Sequence, residues 1–353
     1  MVWGLRLKII YDQRHSLHRD PYGRHPEDPR RVEEGLAALR ASEAWGYIDL
    51  VNPPEPDYSA ALMVHDEEYV DRIKRESSLG FHYIDPDTYV NEYTFEIASI
   101  FATAAREAAL SSIASGEPYF IMSRPGGHHA GRRGRAMGAP TLGFCIFDYT
   151  SIAAKALFDN GYRVMILDID AHHGNGSQEI LWLEPRALHI DIHQTGIYPG
   201  TGGIWSIGGG VARGTKINIP LERGSGDSVY SWILSHVIEP ARKIYEPDFL
   251  IVFAGFDAHM EDPLTGLEVT EDTYAMFGSY VGRLLERGEI AGSLSILGGG
   301  YGEGAITSFV AYVEAMLGIR EQPVIGEEEP SPGVVSAIPG IMDLLRDAAT
   351  RIK

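Results

Sequence analysis

Residues 168–178, DIDAHHGNGSQ, gather more reactive side chains than any other stretch of this 353-residue chain. They follow an apolar run, 164–167, that predicts a buried parallel strand. Side chains alternate along a strand, so Asp168, Asp170 and His172 share one face, with Ile169 and Ala171 on the other. Three polar, metal-competent groups at period two do not make a core face. A carboxylate and an imidazole two residues apart suit a divalent metal. Ligands of open α/β sheets gather at the carboxyl edge of the strands, where this segment falls. Taken alone, the same spacing also fits a solvated strand end that caps the next helix.

Three further segments bring matching chemistry. Residues 124–131 read RPGGHHAG, with His128 and His129 adjacent after a Gly-Gly turn. Residues 253–259 read FAGFDAH, an apolar strand ending towards Asp257. Residues 297–302 read LGGGYG, a strand end followed by glycines and Tyr301. Each delivers a polar side chain to a strand end, and four such segments in one chain point to an active site. On a regular strand His128 and His129 face opposite ways, but a glycine-rich loop can turn both into one cavity.

The elements that must position these groups alternate along the chain. Strands are expected at 5–11, 119–122, 163–168, 187–191, 215–219, 249–254 and 294–297. Helices are expected at 29–41, opened by Pro29, at 94–115, and at 150–160 with Gly161 as its stop. Further helices are expected at 227–245 and 303–317. Residues 196–214 read as a glycine-dense loop, and the tail from EEEPSPG as a peripheral extension with a short final helix. Repeated strand–helix order implies a mostly parallel sheet with helices on both faces. Without a linker, low-complexity tract or repeat, one domain over 1–353 is expected, its core about 5–320 and its extension 321–353.

In combination these motifs resemble the histone deacetylase superfamily, which includes acetylpolyamine amidohydrolases and shares the arginase-type α/β fold. The resemblance runs from HPEDPRR (25–31) through VHDEEYV (64–70) and PTLGFC (140–145) to LGGGY, nearly the whole chain. HHGNGSQ and AGFDA are closer to the class II branch; class I members usually carry Asp at the position of Asn175. The resemblance implies a metal-dependent deacetylase that releases acetate and a free amine. Two carboxylates and one imidazole, Asp170, His172 and Asp257, leave coordination positions open, as catalytic zinc sites do. Ferrous iron suits the same donors. The resemblance makes His129 the general base and His128 an electrostatic partner, with Asp168 holding His128 and Asn175 holding His129. Tyr301 resembles the tyrosine that hydrogen-bonds the oxyanion. Phe144 and Tyr198 match the channel walls, Gly143 the acceptor of the scissile N–H, and Leu264 a wall near the mouth. Asp87 matches the rim acid, with Asp85 as competitor, and Arg31 the arginine beside the acetate-release cavity. A structural potassium ion is also implied beneath the zinc ligands. Asp168, Asp170 and His172 would contribute oxygens to it, the last two through backbone carbonyls, with Asp191 a further candidate that departs from the hydroxyl residue common there.

Composition sets limits. The net charge of −19 disfavours a phosphate-tracking surface and suits a cationic substrate, and it serves solubility equally. One cysteine, Cys145, rules out an internal disulfide and is compatible with a reducing compartment. No signal peptide is evident, and no run approaches about 18 consecutive apolar residues. A cytoplasmic protein is expected, acting on an acetylated cationic amine or acetyl-lysine. Direct nucleic-acid or membrane partners are not expected, and a homo-oligomer is allowed. Two other readings compete. An arginase-like ureohydrolase needs a second set of aspartates for two manganese ions, yet Gly174 follows His173 and Ala258–His259 follow Asp257. A catalytically silent acetyl-amine binding module conflicts with intact ligands, paired histidines and Tyr301.

Overall fold

The computed structural model describes residues 3–352. Its centre is an eight-stranded sheet: β1 (Leu7–Ile10), β2 (Ile48–Val51), β3 (Tyr119–Ile121), β4 (Val164–Asp168), β5 (Ala187–Gln194), β6 (Lys216–Leu221), β7 (Phe249–Ala254) and β8 (Gly292–Leu297). The spatial order is β6-β5-β4-β7-β8-β3-β1-β2, with every pairing parallel. The near-continuous apolar strands follow from this, because both sheet faces are covered. Two large apolar clusters form, one per face. Helices Thr94–Ser115 and Tyr149–Asp159 pack into one. Helices Arg30–Ala41, Glu271–Glu286 and Glu303–Met316 pack into the other.

Chain order explains where a site can form. From β4 the chain moves outward through β5 and β6, then returns to place β7 on the other side of β4. Connections leave β4 and β7 in opposite directions, which opens a crevice at the carboxyl ends of these two strands.

Two differences from expectation have physical causes. The helical run expected at 227–245 contains a π-turn at Leu234–Ile238, just before Pro240. Proline has no N–H for the regular ladder, so the helix takes up the misfit there. The final helix is long rather than short, Pro332–Ile352, and it is not peripheral. Val334, Ile338, Ile341 and Leu345 recur at helical spacing and enter the main apolar cluster. Helix Thr94–Ser115 has the length and mean hydropathy of a membrane span, but 67% of it is buried within the fold. It is apolar all round because the sheet, the helix Tyr149–Asp159 and neighbouring loops enclose it.

Several buried histidines make stability depend on pH. Burial pushes His15 down to about 4 and His65 to about 4; burial, aided by Arg124, pushes His18 to about 3. The unfolded chain takes up these protons near pH 6.5 and the folded one does not, so this stability is present above pH 6.5 and lost below it. Each such group contributes a slope of about 1.4 kcal/mol per pH unit within its window. Urea midpoints are expected to fall steadily from pH 7 to pH 4.5; a flat profile would contradict neutral burial of these imidazoles.

Candidate active site

Every element that ends at the crevice supplies one part of the site. Beyond β4 come Asp170 and His172, beyond β7 Asp257, beyond β8 the loop to Tyr301, and beyond β3 the His128–His129 turn. His172 Nδ1 lies 2.8 Å from Asp257 Oδ2 and 3.2 Å from Asp170 Oδ1. One donor atom from each of the three falls within 4.8 Å of the others. Burial opposes a charged imidazole, yet bonds and charge from Asp170 and Asp257 outweigh it and lift His172 to about 10. The pocket demands positive charge at this point. Two buried carboxylates and an imidazole therefore fit a divalent cation, which would meet that demand directly.

The same carboxylates shape the loops around them. Asp170 Oδ2 accepts from Gly299 N–H at 2.7 Å, and Asp257 Oδ1 from Ala171 N–H at 2.7 Å. A Cβ at residue 299 would collide with Asp257, so only glycine lets the β8 loop approach this closely.

The two histidines form a contiguous hydrogen-bonded pair. His128 Nδ1 lies 2.9 Å from Asp168 Oδ2, and His129 Nδ1 lies 2.7 Å from Asn175 Oδ1. The Asn175 amide donates its N–H to Ala136 O at 3.0 Å, which turns its oxygen towards His129. His129 Nδ1 must then carry the hydrogen, leaving Nε2 as the basic atom. The two Nε2 atoms face each other at 3.1 Å. Burial, with His128 and His172 nearby, holds His129 well below its ordinary value, so it is a neutral base.

A cavity of about 260 Å³ opens onto these groups. Its lining includes His128, His129, Asp170 and His172 together with Gly143, Phe144, Tyr198, Leu264, Asp87, Arg31 and Tyr301. Asp168, Asn175 and Asp257 stand behind that lining, fully buried. Tyr198 meets His129 edge-on at 4.8 Å and fixes its hydroxyl on Thr141 O. Gly143 has φ 54°, and a Cβ there would meet His129 Cδ2 at 2.6 Å and Tyr198 Cε1 at 2.7 Å. Phe144, at φ 67°, holds an uncommon left-handed backbone and meets Tyr301 edge-on at 5.9 Å. Burial keeps the Tyr301 phenol protonated, hence a donor.

The two rim acids separate clearly. Asp87 lines the cavity, its carboxylate accepting from Thr141 Oγ1 at 2.6 Å and Thr88 Oγ1 at 2.9 Å. Asp85 instead accepts from the backbone of Leu142, Thr88 and Asp87, tying the ribbon His82–Asp85/Thr88–Val90 to the 140–145 loop.

The histone deacetylase domain model matches residues 25–317. The chain belongs to the histone deacetylase family. A probable deacetylase of Archaeoglobus fulgidus is 35% identical over 316 residues, covering 88% of this chain and 86% of that one. A histone deacetylase-like amidohydrolase of Pseudomonas aeruginosa is 30% identical, covering 84% and 78%. The crystal structure of the HDA15 HD domain superposes with a TM-score of 0.85 at 31% identity, over 99% of this chain and 96% of that one. The eight-stranded sheet with its flanking helices is thus the histone deacetylase fold. The chain is a hydrolase acting on amides, of the deacetylase kind, in a family that is generally metal-dependent.

Arg31 is expected at the site, but its contacts, and the roles of Glu27, Arg124, His25 and Asp262, escape sequence reasoning because their partners are remote. Arg31 Nε donates to Gly300 O at 2.6 Å, its Nη2 donates to Gly298 O at 2.5 Å, and its guanidinium lies over the Tyr301 ring. Glu27 forms a bidentate pair with the fully buried Arg124 at 2.5 and 2.6 Å. His25 Nε2 lies 2.9 Å from Asp87 O, and its ring meets Phe144. Asp262 accepts the backbone N–H of Tyr301 at 2.8 Å and of Leu264 at 2.9 Å. His25, Glu27 and Arg31 lie in HPEDPRR, Arg124 opens RPGGHHAG and Asp262 follows FAGFDAH, but spacing alone gives no sign of these contacts. Asp262→Ala is expected to loosen the Tyr301 loop and lower kcat on an acetyl-lysine peptide by roughly tenfold to a hundredfold, with metal content unchanged. Parent-like kcat would show that Asp262 does not position Tyr301.

Proposed function

We propose that the chain is a zinc-dependent deacetylase that hydrolyses the N-acetyl amide of acetyl-lysine or of acetylated polyamines and other small amines. One observation carries this reading: Asp170, His172 and Asp257 converge at one wall of the cavity, Asp257 just behind its lining, beside the His128–His129 pair and Tyr301. When bound, the ion supplies Lewis acidity, polarising the acetyl carbonyl and bringing the pKa of a bound water towards ~7. Ferrous iron satisfies the same donors.

The chain's own residues then divide the work. Phe144 and Tyr198 flank the aliphatic part of the substrate, and the Gly143 carbonyl accepts the scissile N–H. His129 Nε2 takes a proton from the attacking water, whose oxygen bonds to the acetyl carbon. Tyr301 donates its O–H to the oxyanion that develops there. The C–N bond breaks as the imidazole pair returns the proton to the departing amine. Asp87 at the mouth and the overall negative charge favour substrates with a cationic group beyond the acetyl amide. A second cavity of about 210 Å³ lies behind the Tyr301 loop, lined by Arg31, Met122, Phe256, Leu297 and Phe309. It adjoins Arg31 and gives acetate a path out past a cation.

Turnover of a fluorogenic acetyl-lysine peptide and of an N-acetylated diamine tests this directly. Tyr301→Phe is expected to retain metal and substrate binding while kcat falls about 10²–10³-fold. His129→Ala should cost at least as much, and near-normal turnover in that variant would overturn the mechanism. Asp170→Ala and Asp257→Ala should lose the zinc with little unfolding; full retention in both would sink the ligand assignment.

A further inference from the structure

A second set of donors lies on β4 and β5, apart from the three ligands above. Asp168 pairs in register with Asp191, and Ile166 with His189. Side-chain alternation therefore puts Asp168, His189 and Asp191 on one face of the sheet. On β6, Asn218 pairs with Asp191 and extends the row. None of the four is more than 1% exposed.

A carboxylate oxygen of each aspartate and a ring nitrogen of His189 lie within 4.8 Å of one another. His189 Nε2 stands 3.8 Å from Asp191 Oδ2. Neither nitrogen of His189 has a hydrogen-bond partner, and Asn218 Oδ1 has none either. A sealed imidazole with both nitrogens unsatisfied is costly, by about 1–3 kcal/mol per group. The aspartates do have neutral partners: Asp168 Oδ2 meets His128 Nδ1, and Asp168 Oδ1 accepts from Asp170 N–H. Asp191 Oδ1 meets His193 Nδ1 at 2.6 Å, and its Oδ2 accepts from Gly174 N–H at 2.8 Å. No lysine or arginine pairs with either carboxylate among the described residues. Lys216, buried on β6, spends its Nζ on Glu184 O, Ala187 O and Thr215 Oγ1. Two neighbouring carboxylates sealed from water need a cation or a shared proton.

The family resemblance implies potassium in this region, with a hydroxyl where this chain has Asp191. The oxygens of Asp168, Asp170 and His172 would suit that ion, but the Asp168–His189–Asp191 cluster, with its unpartnered imidazole, does not. Potassium is held by a cage of oxygens, whereas an imidazole nitrogen beside two carboxylates is a ligand set for zinc, iron or nickel. Two ligands each about 2.0–2.2 Å from one ion can stand at most about 4.4 Å apart, so the 3.8 Å separation already suits a shared ion. We infer that Asp168, His189 and Asp191 bind a second divalent transition-metal ion, of the zinc class, in place of potassium. Because Asp168 also meets His128, that ion would adjoin the imidazole pair.

The test counts metal ions on the intact chain. Protein stripped with a chelator, reloaded with excess zinc or cobalt in the presence of potassium and then desalted, is expected to carry two divalent ions per chain. His189→Leu and Asp191→Ser should each carry one, and so should Asp257→Ala, which leaves only the new site filled. Titration with cobalt, followed by its visible absorption, should show the second equivalent vanish in His189→Leu. If His189→Leu fails to fold, Asp191→Ser gives the same readout with a smaller change. One ion in the parent, with His189→Leu equal to it, would overturn the inference, as would displacement of the second equivalent by potassium. Failure of the proposed function reads out differently, as loss of amide hydrolysis or as Asp257→Ala retaining the parent's full metal content.

Discussion

Four carboxylates, Asp168, Asp170, Asp191 and Asp257, sit at the carboxyl ends of three adjacent parallel strands with no more than 2% exposure each. Unscreened charge of this kind cannot be buried without compensation. Backbone amides give part of it: Gly174, Asp170, Ala171, His172 and Gly299 all donate to these side chains. The loops beyond β4 and β8 therefore follow the carboxylates, wrapping them with N–H groups. What amides leave uncompensated calls for positive charge, from a protonated His172 or from a cation that His172 helps to hold. The fold's switch point makes the crevice, and the acids decide its contents.

From this centre the constraint spreads through the polypeptide. The Gly299–Tyr301 loop is drawn in by Asp170 and held from outside by Arg31 and Asp262. Arg31 in turn sits 3.8 Å from Glu27, which Arg124 grips in a bidentate pair. Arg124 also donates to the carbonyls of His15 and His18. The segment after β1 is thus fastened to the segment after β3 through a single buried guanidinium. A buried ion pair of this type contributes more to position than to net stability, since desolvation offsets much of its attraction. Its position here fixes where Arg31, and so Tyr301, can stand.

Much of this was legible in the sequence because parallel strands buried on both faces write themselves as apolar runs, and the strand-end ligands interrupt those runs at period two. Asp170 and His172 are visible for that reason. Asp257 and Tyr301 are visible through the glycines that crowd their strand ends. Glu27 and Arg124 are 97 residues apart, and nothing local to either shows that they pair. Asp85 and Asp87 flank one turn, so composition could not separate the acid that faces the cavity from the one that closes the ribbon. The final helix was underestimated because its apolar positions interleave with exposed charges, and only packing on the core reveals how far it runs. His189 was passed over as part of an ordinary strand, although histidine, aspartate and histidine at 189, 191 and 193 repeat the period-two pattern that exposes the first site.

The histidine pair has a direction built into it. His128 and His129 share one contact between their Nε2 atoms, but their far nitrogens meet different chemistry, a carboxylate on Asp168 and a neutral amide on Asn175. A carboxylate stabilises an imidazolium; an amide oxygen does so far less. Burial lowers both rings, but Asp170 and Asp191 support the charged form of His128, whereas His128 and His172 oppose that of His129. A proton delivered to His129 therefore has a more favourable resting place one ring further in. In the proposed hydrolysis His129 would accept the proton at the cavity face, and His128, supported by Asp170 and Asp191, would hold it until a basic amine takes it away. Asn rather than Asp at 175 adds to this difference, since its amide oxygen supports a charged His129 less than a carboxylate would.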